Sequence, residues 1–120
     1  MTAEDKLQAA CVTWFRMQYP HLTMFAIPNG GNRNAVTGAM LKKTGTLAGV
    51  ADLFLMCVKD YSSFDVVVFD HGLFIEMKTG KNGQTASQKA FQQKAEDAGY
   101  RYAVCRTFDE FKQTIEDYLT

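Results

Sequence analysis

The chain has 120 residues, no net formal charge and a hydrophobic fraction of 47%. This length predicts one domain, residues 1–120, and this composition excludes a disordered chain. No apolar run approaches the roughly 18 residues that span a bilayer, and the N-terminal segment lacks the basic and apolar regions of a signal peptide. The three cysteines lie far apart without a CxxC pair, so we expect free thiols in a reducing cytoplasm and no membrane partner.

A net charge of zero by itself counts against binding to nucleic acid, but the charges are unevenly distributed along the chain. Two stretches, 22–51 and 77–95, contain no Asp or Glu but seven basic residues, while six acidic residues lie between 96 and 117. This pattern favours a basic face and an acidic back, with ordinary solvated loop and helix charges as the alternative.

The first predicted helix covers residues 3–18. Its N-cap is Thr2, and Pro20 lies beyond its end. Apolar residues recur at spacings of three and four and predict one buried face. That face comprises Leu7, Ala10, Cys11, Trp14, Phe15 and Met17.

The remaining elements follow from hydrophobic periodicity and breaker residues. The pattern predicts a strand at 23–27, a loop at 28–32, a short helix at 35–43 and a strand at 52–58. Strands at 66–69 and 73–78 are joined by a hairpin turn at 70–72. A loop at 79–84, a helix at 86–98 with Thr85 as N-cap and Gly99 as C-cap, a strand at 100–105 and a helix at 108–119 follow. This order predicts a mixed β-sheet flanked by helices, in the α/β or α+β class.

Two acidic residues adjoin apolar strands. Asp52 opens one strand, and Glu76 shares a strand face with Lys78 because side chains alternate. Taken singly, these residues fit a strand-end acid and a half-exposed strand. In neighbouring strands, the two carboxylates and a backbone carbonyl would form a hard-oxygen site suited to Mg²⁺. Lys78 would then hold a nucleophilic water or neutralise phosphate charge, as metal-assisted phosphodiester hydrolysis requires.

The pattern of Asp52 followed 24 positions later by Glu76-Met77-Lys78 resembles the D…(D/E)xK signature of the PD-(D/E)xK nuclease superfamily. More specifically, the chain resembles the VRR-NUC domain in its small stand-alone form, as found in phage and bacterial proteins. The supporting stretches are PNGG at 28–31, LKKTG at 41–45, AGVADLFL at 48–55, GLFIEMK at 72–78, Gln88, and AGY at 98–100. The resemblance implies a restriction-endonuclease-like α-β-β-β-α-β core, which matches the predicted order.

The resemblance also implies roles for individual residues. Asp52 and Glu76 correspond to metal ligands, the Met77 carbonyl to a main-chain ligand, and Lys78 to the catalytic lysine. Ala51 stands where the family commonly has Pro, and this departure leaves the ligand set unchanged.

Two further residues carry over with alternatives. Glu4 corresponds to an acid that many members place near the metal, although an acid is also favourable at a helix start. Gln88 corresponds to a glutamine near the active site, although Thr85-x-x-Gln88 also fits a capping box.

Three groups of residues are candidates for DNA contact. The loop residues Asn29, Gly30, Gly31 and Arg33 offer backbone N–H groups and a guanidinium to phosphate, with an ordinary turn as the alternative. Lys42 and Lys43 form either phosphate contacts or a solvated helix end. Lys81 lies just beyond the ExK strand and is a phosphate contact by position.

Family membership implies Mg²⁺-dependent DNA cleavage, with Mn²⁺ as a substitute, by homodimers that act on branched DNA such as four-way Holliday junctions. We expect such an enzyme in the cytoplasm of a bacterial or phage-infected host cell. Two alternatives stay open: a non-catalytic module that binds DNA structures, and a metal-dependent nuclease acting on other nucleic acids. The segment 59–68 is longer than the connection expected between the Asp and Glu strands, and it extends a hairpin or forms a dimer contact.

Overall fold

Four helices and six strands are defined in the part of the chain that the structure, a computed structural model, describes, namely residues 1–28 and 35–120. In chain order they are α1 (Ala3–Gln18), β1 (Met24–Ala26), α2 (Ala35–Lys43), β2 (Leu53–Leu55), β3 (Lys59–Asp60), β4 (Phe69–Asp70), β5 (Leu73–Met77), α3 (Ala86–Asp97), β6 (Arg101–Cys105) and α4 (Phe108–Leu119). Across the described ranges, no helix is both long and apolar enough to cross a membrane.

The main sheet has the strand order β1-β2-β5-β6. β2 runs antiparallel to β1 and β5, whereas β5 and β6 are parallel and are connected through α3. Parallel neighbours need such a crossover, because a short turn cannot return the chain to the same end of the sheet. The sheet is therefore mixed and flanked by helices, and both the predicted class and the α-β-β-β-α-β order are confirmed.

One face of the sheet carries the aliphatic core. Alternate residues of β2 and β5 are fully buried there and pack with side chains from α1 and α4. The fully buried members are Cys11, Phe15, Leu53, Leu55, Leu73, Ile75, Met77, Cys105, Phe111 and Ile115. All three cysteines are free thiols, as predicted.

The opposite face carries aromatic side chains beneath α3. Phe54 and Phe74 are directly opposite in the β2–β5 register, with ring centroids 4.6 Å apart. Phe74 also contacts Phe91 of α3 at 5.1 Å and Tyr100 at 5.4 Å. Since Asp52 and Glu76 alternate in step with Phe54 and Phe74, both acids belong to this α3 face.

The predicted hairpin turn at 70–72 is wrong. β4 pairs with β3, not with β5, and forms a separate two-stranded ribbon that spans residues 59–70. The chain after β4 is held to the start of β6, because the His71 N–H donates to the Gly99 carbonyl at 2.8 Å and the Arg101 N–H to the Gly72 carbonyl at 2.9 Å. These bonds hold the start of β5 beside β6, so that β5 lies between β2 and β6 in the sheet.

Other differences concern element ends and one helix face. The strand predicted at 52–58 is limited to Leu53–Leu55, and the strand predicted at 66–69 is limited to Phe69–Asp70. On α1, Cys11 and Phe15 are buried as predicted, but Ala10 and Met17 are exposed. Met17 lies about 200° around the helix axis from Phe15, so it cannot share the core face.

Candidate active site

The pairing of β2 with β5 determines where the first two acids lie. Leu53 is opposite Ile75 in the antiparallel register, so the preceding residue, Asp52, lies beside Glu76. The Asp52 carboxylate accepts a hydrogen bond of 2.7 Å from the Met77 N–H. The aspartate is thus fixed to the backbone of the strand that carries the ExK sequence.

Glu4 joins these acids from the first turn of α1. This helix begins in a capping box, in which Thr2 Oγ1 accepts from the Asp5 N–H and the Asp5 carboxylate accepts from the Thr2 N–H, each at 3.0 Å. One carboxylate oxygen from each of Glu4, Asp52 and Glu76 lies within 4.8 Å of the others. The structure therefore brings together three acids from chain positions far apart.

Burial makes this acidic cluster electrostatically unusual. Glu76 is only 2% exposed, and its Oε1 has no hydrogen-bond partner within the described residues. Burial raises the pKa of Glu76 to about 8, and a hydrogen bond with Asp52 and the Asp52 charge act in the same direction. The Lys78 cation opposes this shift. At neutral pH the cluster therefore retains a proton unless a cation replaces it.

The donor set fits a hard divalent cation. The carboxylate oxygens of Glu4, Asp52 and Glu76 are the ligand type that such ions prefer. A buried oxygen without a partner is costly, and coordination would satisfy Glu76 Oε1. The role of the Met77 carbonyl as a further ligand stays a prediction.

Lys78 follows directly after β5 and is only 7% exposed. Its backbone N–H donates to the Cys105 carbonyl at 3.0 Å, which extends the parallel pairing with β6 by one step. By strand alternation its side chain belongs to the same face as that of Glu76. Buried lysines are rare unless paired, so a buried cation that interacts with the charge of Glu76 indicates a site where charge is needed.

Comparisons with known proteins bear on the fold. No family model and no curated protein matches the chain. A solved protein described as "VRR_NUC domain protein" superposes with a TM-score of 0.75 over 99% of this chain and 89% of that one, at 22% sequence identity. The chain has the fold of a VRR-NUC domain.

The VRR-NUC fold places Gln88 in the first turn of α3. Its side chain accepts from the Thr85 N–H at 2.9 Å, and its N–H donates to Thr85 Oγ1 at 3.2 Å, so the capping box is confirmed. The same turn also contacts the segment that leads to Asp52. A Cβ at Gly49 would lie 2.3 Å from the Ser87 carbonyl oxygen and 2.9 Å from the Gln88 nitrogen. The two interpretations of Gln88 are therefore compatible.

The residues proposed to bind DNA in this VRR-NUC fold differ in what the structure describes. Lys42 and Lys43 end α2 and are exposed, and Lys81 is exposed in the loop after β5. These positions are compatible with contact to a ligand. The loop residues Asn29, Gly30, Gly31 and Arg33 lie outside the described residues.

Sequence reasoning missed a tyrosine near the acids. Tyr102 of β6 is 7% exposed and lies opposite Phe74 in the parallel register, on the face that carries Glu76. Burial raises the pKa of Tyr102 to about 12, and the charges of Glu76 and Asp52 add to the shift. Alternation along β6 does not by itself place Tyr102 near Glu76, since that proximity follows from the parallel register of β6 against β5.

Proposed function

We propose that this chain is a nuclease of the VRR-NUC family, a Mg²⁺-dependent DNA endonuclease that hydrolyses phosphodiester bonds and accepts Mn²⁺ in place of Mg²⁺. The observation that carries the proposal is the convergence of Glu4, Asp52 and Glu76 beside the buried Lys78. The VRR-NUC fold supports it, because the neighbouring solved structure is described by that domain name.

Each residue of the cluster has a part in this chemistry. Asp52, Glu76 and Glu4 would hold the cation with their carboxylates, and the Met77 carbonyl would add a main-chain ligand. When bound, a divalent cation supplies charge neutralisation at the phosphate and lowers the pKa of a bound water. The Met77 N–H keeps Asp52 from rotating away, so the ligand oxygens are held before the metal arrives.

Lys78 would act on the same phosphate. Its ammonium adds positive charge where negative charge develops during in-line attack, or it orients the attacking water. Its burial strengthens either effect, because water screens the charge less in such a place.

The substrate would be DNA, and branched DNA such as a four-way junction is the form we propose. Exposed Lys42, Lys43 and Lys81 would contact backbone phosphates, together with the guanidinium of Arg33 and the backbone at 29–31. The enzyme would act in the cytoplasm of a bacterial or phage-infected cell.

The test is a cleavage assay on end-labelled linear duplex, flapped duplex, four-way junction and RNA, each with Mg²⁺, Mn²⁺ or EDTA. We expect cleavage of branched DNA with either metal and none in EDTA. Lys78→Ala and Asp52→Asn should each reduce the rate by about 10²-fold or more. The control is Lys94→Ala, which removes an exposed lysine from the last turn of α3 and should leave the rate unchanged.

Four results would contradict parts of this proposal. Full activity of Lys78→Ala, or activity in excess EDTA, overturns the mechanism. Binding of the junction without nicking in either metal identifies a non-catalytic binding module. Preferential cleavage of RNA overturns the proposed substrate.

We also propose that the chain forms a homodimer, with the β3–β4 ribbon, residues 59–70, as the contact surface. Apolar side chains that are normally buried are exposed along it. They are Tyr61, Phe64, Val66, Val67, Val68 and Phe69. The ribbon carries three aspartates and one lysine, a balance that disfavours DNA as its partner. Sedimentation of a strict monomer at micromolar concentration would contradict the dimer.

The root of the ribbon is firmly attached to the domain. Lys59 Nζ donates to the Asp117 carbonyl at 2.6 Å, and Arg101 forms a 3.0 Å ion pair with Asp70. Tyr118 adds a hydrogen bond of 2.6 Å to the Cys57 carbonyl. A two-stranded ribbon alone is marginal in water, so these contacts hold an apolar surface in a fixed position for a partner.

A further inference from the structure

The loop between β5 and α3, residues 79–85, links the candidate site to the helix above it. It begins directly after Lys78 and ends at the N-cap residue of α3. It contains Gly80 at φ +60° and Gly83, and its only cation is the exposed Lys81. A free loop with two glycines would sample many conformations, and ordering it on DNA would cost binding free energy.

Arg106 holds the middle of this loop. This residue follows β6 directly, one step beyond the Met77–Cys105 pair, and therefore lies level with Lys78. Its Nη1 donates to the carbonyl of Asn82 at 2.7 Å and to that of Gly80 at 3.3 Å. The two carbonyls flank Lys81 on either side, so one guanidinium fixes the backbone of the lysine.

The end of the loop is held by a second set of contacts. Gln84 Nε2 donates to Gln92 Oε1 at 3.0 Å and to the hydroxyl oxygen of Tyr102 at 3.2 Å. Tyr102 is nearly buried in the sheet face that carries the acids. The loop is thus attached both to α3 and to β6, the strand next to β5 in the sheet.

We propose that Arg106 is a positioning residue, which holds loop 79–85 so that Lys81 meets a DNA phosphate without a further ordering cost. This inference rests on the proposed function, since it assigns the lysine a DNA contact. It differs from a direct DNA contact by Arg106, because the guanidinium would act through Lys81.

A double-mutant cycle separates these two roles. The dissociation constant for branched DNA is measured in EDTA, where cleavage does not interfere, for the wild type, Arg106→Ala, Lys81→Ala and the double variant. We expect each single variant to bind about fivefold more weakly and the double variant to bind no worse than Lys81→Ala, because interacting residues are not additive. The control cycle pairs Arg106→Ala with Lys42→Ala on α2, and there the effects should add.

Two further measurements guard against a merely structural effect. Arg106→Lys, which retains the charge and one donor nitrogen, should recover part of the affinity, and it serves as the test if Arg106→Ala does not fold. In the cleavage assay Arg106→Ala should raise KM more than it lowers kcat, whereas general destabilisation would reduce the active fraction and so lower kcat alone.

The outcomes are distinct. Additive losses for Arg106→Ala and Lys81→Ala overturn the positioning role and indicate a direct contact. Unchanged affinity of Arg106→Ala in a wild type that binds DNA overturns this inference and leaves the proposed function in place. A wild type that cleaves DNA with Mg²⁺ but binds none in EDTA overturns this inference alone, whereas a wild type that neither binds DNA in EDTA nor cleaves it with Mg²⁺ overturns the proposed function and this inference with it.

Discussion

Glu76 is an acidic residue in a buried position, and burial disfavours its ionised form when no cation is bound. Its pKa of about 8 in the folded chain exceeds the ordinary value of 4.5, so the folded state binds a proton more tightly than the unfolded state. The associated stability is fully present below pH 4.5 and is lost as the pH rises through 8. A bound divalent cation would remove this penalty by replacing the proton.

We therefore predict that the melting temperature of the wild type in EDTA falls between about pH 5 and pH 8. Glu76→Gln should lack most of this decline, with stability near that of the wild type at pH 5 and above it at pH 8. Added Mg²⁺ should stabilise the wild type at pH 8 more than the variant. Calorimetry over this pH range tests the prediction.

The matched control is Glu116→Gln, which changes an exposed glutamate of α4 and should keep the wild-type pH dependence. A Glu76→Gln variant with an unchanged pH profile would show that this carboxyl is not the group responsible.

Gln88 can be tested separately in its two roles. Gln88→Glu retains an acceptor for the Thr85 N–H, so the capping box and the melting temperature should be preserved. Because this turn of α3 packs against the segment that leads to Asp52, the added negative charge should slow cleavage. Gln88→Ala loses the cap and should cost about 1 kcal/mol of unfolding free energy. Full cleavage by Gln88→Glu would restrict this residue to capping.

The contact between α3 and the segment before Asp52 depends on a glycine. Gly49 has φ +86°, and its missing Cβ leaves room for the carbonyl of Ser87. Gly49→Ala should therefore destabilise the fold by about 2 kcal/mol or more, through strain and overlap with backbone. Chemical denaturation measures this loss.

Gly38→Ala is the matched control for Gly49→Ala. Gly38 lies inside α2, and a Cβ there would meet no described atom within 4 Å. The free energy of unfolding of this variant should rise by about 0.5–1 kcal/mol, because glycine is unfavourable inside a helix. Equal effects of the two substitutions would contradict the packing role of Gly49.

The sequence predicts the helices more accurately than the connections between strands. The predicted helices at 86–98 and 108–119 agree with α3 and α4 to within one residue, because caps such as Thr85 mark helix ends locally. The predicted hairpin turn at 70–72 is wrong, since strand pairing depends on contacts such as that of Arg101 with Gly72, 29 positions apart. A local sequence pattern can predict a strand, but it carries no information about which other strands pair with it.

The candidate site divides in the same way. Asp52, Glu76 and Lys78 were identified by spacing and strand alternation. Tyr102 and Arg106 were not, because their relation to the site arises from the parallel register of β5 and β6 and from hydrogen bonds across that register. A sequence motif identifies the charged residues of the candidate site. The residues that hold those side chains in position can be identified only when the order of the strands in the sheet is known.

At the scale of the whole molecule, the β3–β4 ribbon exposes apolar side chains to solvent in the single chain as the structure describes it. We predict that wild type sediments as a dimer at micromolar concentration and that Phe64→Asp or Val67→Asp shifts it to a monomer. Both side chains are exposed, so neither change should lower the melting temperature of the monomer. Met40→Asp, which alters an exposed apolar residue on α2, is the control and should remain dimeric. A dimer that survives both ribbon variants would place the interface elsewhere.

The topology of β5 also determines when the three acids meet as the chain folds. Its neighbours β2 and β6 are separated from it along the chain by the ribbon and by α3, and Glu4 lies 72 positions before Glu76. Closing such distant contacts is slow, and it comes late in folding. A nascent or partly folded chain would therefore hold no complete set of metal ligands. In a nuclease, this order would leave DNA in the cell untouched until the enzyme is fully formed.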